Sequence, residues 1–280
     1  TLILSLKKHF LVNDHYLEAL SATLFFGVGL GSAMSGMMTN QYGRLNVIHS
    51  FTFLMFISNF ALAFTNNFFF FGFLRFLIGF SIGVVVPSAI NLLAEKLPNN
   101  YRSFWLNLIW LGFNMGNMYL LFGVYFIMPN FEVEGIKKLL LFCSLLPFTV
   151  LFLNFTFLED SYRNMILKGN ELLAFDQIEE KLEVNFTFRD KRRIFHEITS
   201  GVNRDDGKSA LSLIFSGKYL KLTILLMIIW FNNSVIYFGP MTIMTLTIKD
   251  LGLNSDNSSN KAVLMNLIQE IYQIIFQELL

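Results

Sequence analysis

The feature that most constrains this chain is the repeated scarcity of charge over apolar runs of about 20 residues. Seven such runs stand at 17–38, 47–65, 68–93, 104–128, 139–158, 219–248 and 262–280; the first, third and sixth hold one charge each, Glu18, Arg75 and Lys221, and the last is interrupted by Glu270 and Glu278. A helix rising about 1.5 Å per residue crosses the roughly 30 Å hydrocarbon layer in that length. Inside the layer no water satisfies backbone N–H and C=O groups, so each segment must satisfy its own, as a helix does. The runs therefore predict an all-α, multi-pass transmembrane helical bundle. Composition agrees: 15% of the 280 residues are charged and 54% are hydrophobic, with 33 Phe. A soluble domain carries about 25% charge. The same figures exclude a disordered chain, and a net charge of +1 excludes a basic nucleic-acid binder.

The joints between runs are short, with one exception. Polar turns lie at 40–46 and 95–103, and Asn66 and Asn67 make a tight one. The long polar stretch 159–218 separates a first membrane half, 1–158, from the start of a second, 219–280. Within it Leu172, Phe175, Ile178 and Leu182 recur at helical spacing, with Glu179, Glu180 and Lys181 between them. That pattern predicts a short amphipathic helix. Residues 1–6 are apolar but too short to span, and read as the stump of an earlier helix. The chain starts at Thr1 and stops at Leu280 inside an apolar run, so both ends are expected to be cuts.

Basic residues set the orientation. If the stretch around 159–221 is cytoplasmic, alternation puts the Arg44 turn and the Lys96/Arg102 turn on that side too. Fourteen of the 21 Lys and Arg then gather there, as cytoplasmic loops prefer. Lys7, Lys8, Lys137, Lys138, Lys249 and Lys261 fall outside. The sequon Asn257-Ser258-Ser259 also falls outside. The host membrane is a plasma membrane or an intracellular vesicle.

Nothing here is built for catalysis. His9, His15, His49 and His196 are scattered without metal-ligand spacing, and no Gly-rich phosphate loop follows a strand. No catalytic residue, cofactor, metal or obligate protein partner is expected. The single cysteine, Cys143, lies in an apolar run and reads as a small buried hydrophobe.

The turns carry the mechanism. Gly36, Asn40, Gly43 and Arg44 end the first full run; Glu95 and Arg102 flank the turn after the third; Glu159 and Arg163 follow the fifth. Charges at adjoining helix ends can pair across helices and hold one side shut. The pairs expected are Arg44 or Arg102 with Glu95, and Arg163 with Glu159 or Asp160.

These motifs resemble the major facilitator superfamily. The first turn is similar to that family's G-x-x-x-D-R-x-G-R-R loop. Arg75, Gly79 and Gly83 resemble its R-x-x-x-G-x-x-x-G helix. Pro87, Glu95, Pro98 and Arg102 match its P…E…P…R run, and Glu159, Ser161 and Arg163 its P-E-S-x-R signature. Within the superfamily the chain looks like the synaptic vesicle two-related and organic ion transporter group. That likeness rests on Asn40 to Arg44, Ala94 to Pro98, Ile229 to Asn233 and Tyr237 to Gly239. It implies the six-helix N-terminal half lacking most of helix one, plus helix seven and part of eight. It also implies alternating-access movement of a small organic solute, an organic ion, across the bilayer, with a coupling proton or ion in some members. Four positions depart from the pattern: Asn40 replaces an aspartate, Gln41 and Leu45 replace arginines, and Leu158 replaces a proline. A weakened lock, and a scaffold of transporter ancestry with no flux, or an inactive truncated product, are the rival expectations.

For the solute, the candidates are polar groups in the runs: Arg75, Asn114, Asn117, Asn232, Asn233 and Tyr237. Amides in hydrocarbon need partners, either on a neighbouring helix or in a polar cavity. No carboxylate lies at depth before Glu270. Gly27, Gly31 and Ser35 recur at spacing four, as do Gly79 and Gly83, which predicts close helix packing.

Overall fold

The computed structural model describes residues 14–97, 102–127, 133–159, 165–166, 169, 174–176, 178–179, 187–202, 217, 220–232 and 235. Five long helices form the first compact unit: α1 Asp14–Tyr42, α2 Arg44–Leu62, α3 Phe68–Lys96, α4 Arg102–Ile127 and α5 Val133–Phe157. Each is long and apolar enough to cross a membrane. The second unit contains α6 Phe188–Val202 and α7 Leu220–Asn232. The seventh predicted run, 262–280, lies outside the described residues, as do Arg163, Asn233 and Tyr237.

The predicted runs and the helices differ mainly at their ends. α5 begins at Val133 rather than 139 because Lys137 and Lys138 stay in the helix, exposed near its N-terminal end. Long lysine stems let the ammonium reach water while the backbone remains helical. α3 runs through Pro87 and α5 through Pro147 without ending. In a bundle, neighbouring helices and hydroxyls satisfy the carbonyls that proline frees. α3 starts where Asn67 caps it, its side chain accepting from the Phe69 amide at 3.0 Å.

α3 is the central element, packed on α1, α2 and α4, while α5 packs on α2 and α4. The α1–α3 seam is the tightest. A Cβ on Gly27 would stand 2.9 Å from the Phe80 amide nitrogen, and one on Gly83 would stand 2.8 Å from that of Ser32. Gly31 and Gly79 face backbone of the opposite helix just as closely. Small residues every fourth position thus let two backbones touch, which van der Waals packing requires in lipid. Ser35, the next position of the stripe, is buried, whereas its neighbour Gly36 is exposed, with no heavy atom within 4 Å of its Cβ position.

The apolar core lies toward one end of the bundle. Leu20, Leu62, Phe71, Leu74, Ile78, Val124, Ile136 and Leu139 form it, from all five helices. Outward-facing positions are as apolar as the inside: Phe69 is 81% exposed and Phe126 72%. A surface of that kind is not stable in water and matches hydrocarbon.

Candidate functional site: a polar tie at one end of the bundle

At the end opposite the core, three helix termini meet through polar groups. α1 passes into α2 through one residue, Gly43, whose φ of 89° and ψ of 152° are open almost only to glycine. Its amide donates to the Thr39 carbonyl at 3.0 Å, and its own carbonyl accepts from Val47 at 3.2 Å. This sharp joint puts Arg44 at the first residue of α2, beside the last turn of α3. There its guanidinium forms an ion pair with the Glu95 carboxylate. The two side chains are 22% and 17% exposed, so water only partly screens the pair. One residue on, Lys96 Nζ donates to the Glu159 carbonyl at 2.7 Å and ties α3 to the residue just beyond α5.

Of the two arginines expected near Glu95, the structure pairs Arg44. Arg102, at the start of α4, is half-buried, and its Nε has no hydrogen-bond acceptor among the described residues. Asn40 is exposed. Sequence reading missed the Lys96 tie, since a backbone carbonyl leaves no signature. It also missed the His49 ring stacked on Phe155 at 4.4 Å, which adds an α2–α5 contact near this end.

The candidate solute contacts are scattered more widely. Asn114 on α4 is buried, at 1% exposure, and Asn117, one turn on, is half-buried. Arg75 lies in the other half of the bundle. Its guanidinium carbon stands 5.6 Å from the Phe71 ring centre, and its Nε has no acceptor among the described residues. Asn232 is exposed on α7 and donates to the Ile228 carbonyl of its own helix at 3.1 Å. Tyr119 is used for packing: its hydroxyl donates to the Phe142 carbonyl at 3.0 Å and its ring stacks on Phe142 at 4.3 Å.

In the second unit, Phe175 and Ala174 are buried with Ile166, and helical turns run through 174–176 and 178–179. α6 covers this small core with Ile194 and Phe195. The sequence reading expected a short amphipathic helix over 172–182 and none over 188–202. A signal existed: the Thr187 amide donates to the Asp190 side chain at 3.2 Å, a Thr-x-x-Asp box at the helix start.

Long apolar helices, lipid-compatible outer faces and a polar tie at one end define a multi-pass integral membrane protein. The chain belongs to the major facilitator superfamily, whose sequence model matches residues 1–277. It is 26% identical to the 4-hydroxybenzoate transporter PcaK of Acinetobacter baylyi over 83% of this chain and 50% of that protein. It is also 26% identical to the synaptic vesicle 2-related protein of Xenopus laevis over 87% of this chain and 42% of that one. Its fold is similar to that of the proton:xylose symporter XylE bound to 6-bromo-6-deoxy-D-glucose. The TM-score is 0.77 at 18% identity, over 99% of this chain and 62% of that one. The chain spans half or less of the length of these two sequence relatives.

Proposed function

We propose that this chain is part of a membrane carrier that moves a small organic ion by alternating access. The observation that carries the proposal is the Arg44–Glu95 pair together with the Lys96–Glu159 tie. Both are polar, both join separate helices, and both lie at one end of a bundle whose other end is apolar. Such ties can break and reform as helices rock, whereas a packed apolar core resists opening. We take that end as the cytoplasmic gate, with Gly36, Asn40, Gly43, Arg102 and Arg163 as its remaining members. The domain division at 158 and 218 goes with it: a first membrane half, a cytoplasmic loop and the start of a second half.

Family membership points to a carrier rather than an enzyme. The likeness to a 4-hydroxybenzoate transporter supports an organic anion as the solute class. Asn114 and Asn117 are the proposed contacts in the first half; Arg75, Asn232, Asn233 and Tyr237 complete the candidate set. Uptake of 4-hydroxybenzoate and of organic cations by the full-length protein in proteoliposomes tests the reading. Saturable uptake lost in Asn114→Leu supports it. Absence of uptake for every organic ion, with the protein folded, supports the second reading, a membrane scaffold without flux. The observation favouring that second reading is Asn40 and Gln41, where the family's loop carries charge.

A further inference from the structure

α6 has two working faces. Lys191 turns to the loop core, with Nζ 2.9 Å from the Glu179 carboxylate and 5.6 Å from the Phe175 ring centre. Ile194 and Phe195 pack on the same core. Another face presents Arg189, Arg192, Arg193 and His196, which line one cleft of about 410 Å³ and are all exposed. Spacings of three, four and seven residues put these four on one side of a helix. Asp190, the acid of the first two turns, accepts from the Thr187 amide at 3.2 Å.

Three guanidinium groups converging on one cleft attract anions. The planar fork of arginine matches phosphate oxygens in pairs, which a field of lysines does not. The chain also dictates where such phosphates are met. The loop carrying α6 follows the membrane-crossing α5 and precedes the apolar α7, so it is held close to a bilayer surface at both ends.

We propose that the basic face of α6 binds phosphomonoester-bearing anionic lipid headgroups of the membrane that the chain spans. The proposal is independent of the carrier reading, since it needs only that the chain crosses a bilayer. The loop is then a lipid-sensing element attached to the transmembrane unit.

The test is hydrogen–deuterium exchange of the full-length protein in nanodiscs. Phosphatidylcholine discs are compared with the same discs containing phosphatidylinositol bisphosphate. The expected result is slower exchange over 188–202 in the anionic discs alone. The double variant Arg192→Gln/Arg193→Gln should raise the lipid fraction needed for half-protection by about tenfold. Lys191→Gln, on the core-facing side, should leave that lipid dependence intact. Unchanged exchange over 174–179 in the double variant shows that the loop core still folds. Equal exchange in neutral and anionic discs overturns the proposal. So does full protection by inositol trisphosphate or inorganic phosphate added to neutral discs, which would make this a soluble-anion site. Lipid dependence untouched by the double variant refutes the assignment to this face.

Discussion

Gly83 offers the sharpest test of how the bundle is held. A Cβ there would stand 2.8 Å from the Ser32 nitrogen and 3.0 Å from the Val28 carbonyl carbon, where ordinary contact begins at 3.4 Å. Both neighbours are backbone, so no side chain can swing away. The Val28 carbonyl oxygen lies closer still, so α1 and α3 must separate by roughly an ångström, which forfeits about a quarter to a half of each contact's dispersion well along the seam. Overpacking of this kind costs about 1–3 kcal/mol. Gly29 is on the same helix as Ser32, yet no heavy atom lies within 4 Å of its Cβ position. Alanine there should be neutral or stabilising by about 0.5–1 kcal/mol, because glycine weakens a helix interior. Gly83→Ala should therefore unfold at least about 1–2 kcal/mol more easily than Gly29→Ala. Thermal or steric-trap unfolding in lipid nanodiscs measures the difference. Equal stability of the two variants would refute the claim that touching backbones hold α1 to α3.

The remaining predictions concern the tie and the caps. On the carrier proposal, Glu95→Gln removes the partner of Arg44 and should shift the balance toward inward opening by about 1 kcal/mol, read by cysteine accessibility near Arg44. The swap Arg44→Glu/Glu95→Arg should restore most of that loss, and a swap no better than the single variants would argue against a pairwise tie. Asn40→Asp adds a negative charge near the joint and should favour the closed tie by a few tenths of a kcal/mol, visible as slower labelling at the same position. Gly43→Ala forces a side chain into a backbone region reserved for glycine, at about 1–3 kcal/mol, and should lower the melting midpoint more than Gly36→Ala does. Asn67→Ala leaves the Phe69 amide without its acceptor and should cost about 1 kcal/mol, detected as faster amide exchange in the first turn of α3.

The sequence determined that helices cross a membrane and roughly where each begins. Apolar runs of spanning length with so few charges admit little else, because unsatisfied backbone is too costly in hydrocarbon. It also announced the glycine seam, since spacing four on two helices has one packing use. It did not decide partners. Glu95 had Arg44 and Arg102 within plausible reach, and the tertiary arrangement chose the one 51 residues away in sequence. Nor could it rank the amides: Asn114 is buried while Asn91 is exposed, and the two read alike in an apolar run. In α6 the local cap was written in Thr187 and Asp190, but which side met Phe175 was not. Helix length follows from local hydrogen bonding and solvent, which a sequence encodes residue by residue. Choice of neighbour follows from how whole helices rotate against one another, and only the assembled bundle fixes that rotation.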